Sequence, residues 1–156
     1  MHVKEFWFPT SVALDVQEWQ YKMDAKPNDG LIFQPLTAYR KGNIWKWKPS
    51  DQLTVDFYLR FEQDAMTVYL MENNEWVVSH DFRIEGTLPN ENIDSKVVEC
   101  KYSREGDCWK PLRIRRDKSF PNTVKIARQN LDMIRNEIKF EDIVDEISQV
   151  GFAIQE

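Results

Sequence analysis

Residues 109–122 read WKPLRIRRDKSFPN, and this stretch combines a strand pattern with a dense group of cations. Alternate residues of a strand point to opposite faces. Arg113 and Arg115 therefore share one face, with Asp117 and Lys118 at the end of the strand. Arginine binds phosphate oxygens through two parallel hydrogen bonds, whereas lysine acts as a point charge. The stretch predicts a strand with an anion-binding site, and a solvated strand face is the alternative interpretation.

Four more runs rich in β-branched and aromatic residues precede this strand. They cover residues 54–61, 66–71, 76–82 and 96–102, and polar or glycine-containing breaks separate them. With residues 109–116 they make five strands joined by loops of uneven length. Five such strands fit an OB-type barrel, and an SH3-like barrel remains an alternative.

The periodicity changes after Pro121. One helical face of about four turns is predicted by four apolar residues, Ala127, Leu131, Ile134 and Ile138. Asn122 or Thr123 is positioned to cap this helix. A second, acidic helix is indicated by Ile143, Ile147 and Val150.

The part of the chain before residue 50 has a different pattern. A helix is predicted over residues 12–23, and a short buried strand over residues 31–33 follows the turn at Asp29. A carboxylate in that position suits a divalent cation, although Asp-Gly is also ordinary turn chemistry. In the next strand, residues 44–48, alternation places Lys46 and Lys48 on one face. Two such lysines either converge on a phosphate or protect a strand edge.

The charge distribution limits the classes of partner. The chain has 156 residues and a net charge of −5, yet residues 101–125 hold eight basic and three acidic side chains. A basic region in an acidic protein favours one focused anionic ligand, such as a triphosphate or an RNA end, over a long polyanion. No apolar run approaches the roughly 18 residues of a membrane helix, so no membrane partner is expected.

Three motifs in order resemble those of a known superfamily. DGLIF at 29–33, KWKP at 46–49 with TVDF at 54–57, and RIRRDK at 113–118 with PN at 121–122 are similar to motifs IV, V and VI of the covalent nucleotidyltransferases. The KWKP–TVDF pair and the RxDK–PN ending resemble most closely the mRNA guanylyltransferases. The resemblance covers nearly the whole chain.

The resemblance implies an α+β fold in two parts. Residues 1–49 correspond to the C-terminal portion of a nucleotidyltransferase domain, and residues 50–156 to an OB-fold β-barrel with C-terminal helices. Members of the family transfer GMP from GTP to the 5′-diphosphate end of RNA through a lysyl-GMP intermediate. The implied localisation is the nucleus, or a viral cytoplasmic factory for a viral protein.

The resemblance also implies roles for individual residues. Asp29 is expected to bind Mg²⁺ or Mn²⁺, and Lys46 and Lys48 to contact the α-phosphate of GTP. Arg113 is expected to bind substrate. Three residues are expected to close over the β- and γ-phosphates, Arg115, Asp117 and Lys118. Expected partners are GTP, a 5′-diphosphate RNA end, and either an RNA polymerase C-terminal tail or a chain that carries the remaining N-terminal half.

One motif of the family is missing from the sequence. The nucleophilic lysine lies in KxDG, and the nearest match, KPNDG at 26–30, has one residue too many. We therefore expect a C-terminal portion of a guanylyltransferase that does not form the covalent intermediate by itself: a split gene, a shortened chain, one subunit of a complex or a degenerate copy. The alternative is a non-catalytic OB-fold module that binds RNA 5′ ends, a nucleotide or a protein partner.

Overall fold

The computed structural model describes residues 30–33, 45–62 and 65–153. The helix predicted over residues 12–23 lies outside these ranges, as does Asp29. The described residues of 1–49 and 138–156 group into one compact unit, and residues 50–137 form another. The division into domains 1–49 and 50–156 stays a prediction.

The first unit contains a two-stranded antiparallel sheet and a helix. Strand β1, Leu31–Phe33, pairs with strand β2, Trp45–Trp47, in a register that places Ile32 opposite Lys46. Ile32 is exposed, so the prediction that this strand is buried is wrong at that position. The helix of this unit, Phe140–Ala153, contacts β2, because Trp47 Nε1 donates to the Ile138 carbonyl at 2.8 Å and the Trp47 ring packs on Phe140.

The second unit is built on a five-stranded antiparallel sheet. After a 3-10 turn, Ser50–Gln52, the strands are β3, Thr54–Glu62, β4, Ala65–Glu72, β5, Glu75–Val78, β6, Lys96–Ser103, and β7, Cys108–Ile114. Their order in the sheet is β5-β4-β3-β6-β7. Each strand begins within one residue of its predicted start. Strand β5 ends at Val78, four residues before the end of the predicted run at residue 82.

The α+β class is confirmed, and the sheet is consistent with an OB-fold domain. Within the ranges that the structure describes, no strand ladder joins the edge strands β5 and β7, so strand pairing does not close the barrel. The strand pattern predicts the number of strands, whereas closure depends on the pairing of edges that are distant in sequence.

One face of the sheet forms the core. Alternate residues of β3 on this face, Val55, Phe57 and Leu59, are fully buried. The Trp109 ring of β7 is buried against Phe57, with ring centroids 5.5 Å apart. The opposite face, called the outer face below, carries the other side chains of β3, including Asp56 and Tyr58.

Helix α1, Val124–Arg135, covers the core face with Val124, Ala127 and Ile134. Thr123 caps it by accepting a hydrogen bond from the Ile126 amide at 3.2 Å. Asn136 ends the helix, so Ile138 is exposed beyond it, and the predicted extension to Ile138 is wrong. The acidic helix predicted around Ile143 is present as α2, Phe140–Ala153.

None of the helices in the described part of the chain is long and apolar enough to cross a membrane.

Candidate functional site

The predicted cation-rich motif lies where β7 leaves the sheet. β7 ends at Ile114, and the Arg115 amide still donates to the Val97 carbonyl of β6 at 2.8 Å. The Lys118 amide then donates to the Arg115 carbonyl at 3.2 Å and closes a tight turn. Strand pairing on one side and the turn on the other place Arg115, Asp117 and Lys118 together at the edge of the outer face.

Asp56 of β3 is the buried partner of this motif. Only 5% of its side chain is exposed, and Arg115 Nη1 donates to both of its carboxylate oxygens, at 3.2 and 3.1 Å. Lys118 Nζ contacts the same carboxylate. A buried charge is costly unless it is paired and hydrogen-bonded, and these two cations meet that requirement.

Asp117 contacts the other edge of the same guanidinium. Its oxygens accept from Arg115 Nε at 3.0 Å and from Nη2 at 2.8 Å, which is the parallel, two-bond geometry of an arginine–carboxylate pair. The hydrogen bond from Arg115 lowers the pKa of Asp117 well below its usual range, and the same bond raises the pKa of Arg115. The Asp117 side chain is 67% exposed, whereas that of Arg115 is 17% exposed.

Arg113 shares the outer face with Arg115, and both reach Glu99 of β6. Arg113 Nε lies 2.6 Å from Glu99 Oε2, and Arg115 Nη1 lies 3.7 Å from it. The Thr54 hydroxyl donates to Glu99 Oε1 at 2.8 Å. Burial raises the pKa of Glu99, but these hydrogen bonds and charges outweigh burial, so the net shift is downward. We call this group of side chains the Arg115 cluster: Asp56, Glu99, Arg113, Arg115, Asp117 and Lys118.

The Pro-Asn ending of the motif fixes the position of β3 relative to the turn. The Asp56 amide donates to the Asn122 side chain at 2.7 Å, and the Asn122 amide donates to the Asp56 carbonyl at 2.8 Å. The Asn122 carbonyl accepts from the Met71 amide of β4 at 3.0 Å. Asn122 therefore joins β3 and β4 to the segment that carries Lys118.

Lys46 and Lys48 belong to the first unit. Lys46 lies in β2 and is exposed, and Lys48 directly follows the strand and is partly buried. Gly30 approaches this strand closely: it has a φ of 108°, and a Cβ atom there would lie 2.1 Å from the Trp47 carbonyl oxygen. The glycine of the predicted Asp29-Gly30 motif is thus required by the backbone of the lysine-bearing strand.

The predicted metal site rests on Asp29, which lies outside the described residues. Among the residues that the structure describes, no group of three or more His, Cys, Asp or Glu side chains is arranged to hold a metal ion. The binding of Mg²⁺ or Mn²⁺ at Asp29 therefore stays a prediction.

An open groove of about 710 Å³ borders the Arg115 cluster on the second unit. Its lining includes Tyr58 of β3, Lys96 of β6, and Arg116, Lys118 and Ser119 of the turn. The cluster thus lies beside a surface large enough for part of a nucleotide or an RNA strand.

The sequence motifs include one carboxylate that pairs with the cations, Asp117, but assign no such role to Asp56 or Glu99. Asp56 lies within TVDF, and Glu99 lies in the run predicted as a strand over residues 96–102. The sequence contains one signal for Asp56: it stands between two apolar residues, Val55 and Phe57, and a charge buried at such a position seldom lacks a partner. No comparable signal marks Glu99, because its role depends on the register of β6 against β7.

Comparison with known proteins agrees with the motif order. The profile of the family described as mRNA capping enzyme, C-terminal domain, matches residues 31–144, which is more than half of the chain. The chain belongs to this family. The match includes β1 to β7 and α1, together with Lys46, Lys48 and the whole Arg115 cluster. The resemblance drawn from the three motifs is therefore confirmed for the family.

Curated relatives include capping enzymes of animals and yeasts. The chain is 33% identical over 135 residues to the mRNA-capping enzyme of Mus musculus, which covers 81% of this chain and 22% of the relative. It is 31% identical to the mRNA-capping enzyme of Danio rerio, in an alignment that covers 75% of this chain and 21% of the relative. The mRNA-capping enzyme subunit alpha of Schizosaccharomyces pombe is 24% identical, in an alignment that covers 77% of this chain and 36% of the relative. The chain thus spans about a fifth of the length of the animal relatives it matches.

Proposed function

We propose that this chain takes part in mRNA capping as the phosphate-binding portion of an mRNA guanylyltransferase. In this proposal Arg115 and Lys118 bind the β- and γ-phosphates of GTP, Lys46 and Lys48 bind the α-phosphate, and Arg113 adds a cation at the rim. A lysine from a KxDG motif outside the 156 residues attacks the α-phosphate, forms lysyl-GMP and releases the β- and γ-phosphates as pyrophosphate. GMP then passes from this lysine to the 5′-diphosphate end of RNA. The expected compartment is the nucleus.

One observation carries the proposal, namely the asymmetry of the Arg115 contacts. Asp56 holds Nη1 from a buried position, whereas Nε and Nη2 face the exposed Asp117. An exposed ion pair is worth roughly 0–1 kcal/mol, so its exchange costs little. A phosphate offers the same two-acceptor geometry as a carboxylate. In this proposal a terminal phosphate of GTP replaces Asp117 on Arg115 while Asp56 keeps the guanidinium in place. Asp117 then competes with the phosphate, which differs from the closing role that the resemblance implies for it.

This arrangement suits phosphoryl-type chemistry. Such reactions depend on positioned cations more than on proton transfer. Arg115 is held by a buried carboxylate before the ligand arrives, so little side-chain entropy is lost on binding. Lys118 contacts Asp56 from a partly exposed position and supplies a second charge beside the same phosphate.

The proposal is tested by titrating the full chain with GTP, GDP and GMP. Because the Arg115 edge binds terminal phosphates, affinity is expected to fall from GTP to GDP to GMP. Lys118→Ala should remove most of the difference between GTP and GMP. Lys125→Ala is the control, since Lys125 is exposed on α1 and does not line the groove. Equal affinity for the three nucleotides would contradict the proposal.

A second experiment addresses the covalent step. The chain is incubated with GTP labelled at the α-phosphate and a divalent cation, then run on a denaturing gel. We expect no covalent label on this chain alone, because its sequence contains no KxDG. Label on this chain would contradict the proposed division of roles and would direct attention to Lys26.

A further inference from the structure

A group of four aromatic rings, two exposed and two partly buried, lies on the outer face of the second unit. Tyr58 of β3 is 4.8 Å from Trp76 of β5 and 5.9 Å from Tyr69 of β4, measured between ring centroids. Trp76 is in turn 5.9 Å from Phe120, in the segment that follows Lys118. We call these four residues the aromatic patch.

The patch is open to solvent where large aromatic residues are usually covered. Trp76 is 42% exposed and Phe120 is 59% exposed. Both belong to the second unit, and the core of that unit is filled by other residues, including Phe57, Phe82 and Trp109. The two exposed rings are therefore not required to complete this core. Adjacent exposed aromatic residues mark a binding surface more often than isolated ones do.

The patch continues into the groove that borders the Arg115 cluster. Tyr58 belongs to both, and Phe120 directly follows Ser119, which lines the groove. Asp56 and Tyr58 are two residues apart on β3, so the cluster and the patch share one face of the sheet.

The charge of the groove decides between classes of occupant. One carboxylate among the lining residues, Glu91, already pairs with Arg116 at 3.1 Å. Four cations share the lining: Lys96, Arg115, Arg116 and Lys118. Within the described residues Lys96 makes no ion pair with a carboxylate. Rings beside a cationic groove match a single-stranded nucleic acid, whose bases stack on aromatic residues while its phosphates follow the cations.

We propose that the aromatic patch and the groove bind a single-stranded RNA segment. Bases stack on Trp76 and Phe120, and phosphates contact Lys96 in the groove. This inference rests on the proposed role in capping and extends it, because it assigns the nucleotides that follow the 5′ end to a surface next to the Arg115 cluster. Stacking accepts any base, so little sequence preference is expected.

The test measures binding of the full chain to a fluorescent RNA of about ten nucleotides with a 5′-hydroxyl end, at low salt and without GTP. Such an RNA lacks the terminal phosphates that Arg115 is proposed to bind, so the result is independent of GTP binding. Trp76→Ala and Phe120→Ala should each weaken RNA binding about tenfold. Lys96→Ala should weaken it and reduce its salt dependence.

The matched control is Phe61→Ala. Phe61 is 39% exposed and lies on β3 three residues from Tyr58, so it points away from the outer face. RNA binding should be unchanged in this variant, and circular dichroism should show that all four variants fold.

Three outcomes would overturn the inference: no RNA binding by the wild-type chain, equal loss in Phe61→Ala, or unchanged binding in Trp76→Ala. A fourth outcome would also overturn it: the patch variants lose binding to a synthetic polymerase-tail peptide but keep RNA binding. The patch would then be a peptide-binding site. If RNA binding follows the patch but GTP binding fails to respond to Lys118→Ala, the proposed GTP site is wrong and the RNA surface stands.

Discussion

Asp56 and Arg115 lie 59 residues apart in the chain, and Arg115 Nη1 donates to both carboxylate oxygens of Asp56 at 3.2 and 3.1 Å. This pair joins the TVDF segment to the RIRRDK segment, so two separate sequence motifs form one structural unit. Arg115 therefore neutralises a buried charge of the sheet, and its remaining donors, Nε and Nη2, bind the exposed Asp117, where we propose that a phosphate of GTP binds.

Arg115→Ala is expected to destabilise the protein. The change leaves Asp56 buried with Lys118 as its remaining charged partner, and breaking a buried pair costs roughly 3–5 kcal/mol. We expect about 3 kcal/mol, at the lower end, because Lys118 still contacts Asp56. The free energy of unfolding is measured by urea denaturation.

Arg116→Ala is the matched control for that change. Arg116 neighbours Arg115 in sequence, is largely exposed and pairs only with Glu91 among the described residues. Its loss should cost less than about 1 kcal/mol. Equal losses in the two variants would show that the Asp56 contact contributes no more than a surface pair.

Acidification should weaken the fold partly through Glu99. Its pKa in the folded state lies below the ordinary value of 4.5. Between these two pKa values the unfolded chain binds more protons than the folded one, so stability falls as pH decreases through that window. At pH values above the ordinary pKa of 4.5, the contribution of Glu99 to the free energy of unfolding is complete.

Glu99→Gln should therefore reduce the loss of stability between about pH 5 and pH 3. Arg113→Gln should have a smaller effect in the same direction, because it removes one of the groups that lower the pKa of Glu99. Urea denaturation at several pH values measures both slopes. Parallel slopes for wild type and Glu99→Gln would contradict this assignment.

Gly30→Ala should disrupt the pairing of β1 with β2. The new Cβ would lie 2.1 Å from the Trp47 carbonyl oxygen, and the φ of 108° is unfavourable for any residue with a side chain. Hydrogen exchange at the amides of Ile32 and Lys46 should become faster.

Gly86→Ala separates the cost of a positive φ from the cost of a steric clash. Gly86 has a φ of 92°, but a Cβ there would have no neighbour within 4 Å. Only the conformational cost of about 1–2 kcal/mol applies to it. If both variants lose the same stability, the close approach to Trp47 is not the reason for glycine at position 30.

The strands and the core helix were predictable because their signals are local. Apolar alternation in β3 and the spacing of Ala127, Leu131 and Ile134 reflect faces that point into one core. The end of α1 was not predictable from that spacing, since periodicity reports a face and the Asn136 cap sets the end.

The cations of the candidate site and one of their partners, Asp117, were predictable from the sequence, whereas the partners Asp56 and Glu99 were not. Arg113 and Arg115 share a face because strand geometry requires it. Their pairing with Asp56 and Glu99 depends on the register of three strands, which no local pattern specifies. Closure of the barrel likewise depends on which distant strands pair, so no local pattern specifies it.

The most direct measurement is the GTP affinity of Asp117→Asn, compared with wild type and Lys118→Ala. If a phosphate replaces Asp117 on the Nε and Nη2 edge of Arg115, Asp117→Asn removes a competing negative charge and binds GTP at least as tightly as wild type. Lys118→Ala removes a charge-assisted contact and binds about tenfold more weakly. Loss of GTP binding in Asp117→Asn as large as that in Lys118→Ala, with both proteins folded, would contradict the proposed exchange.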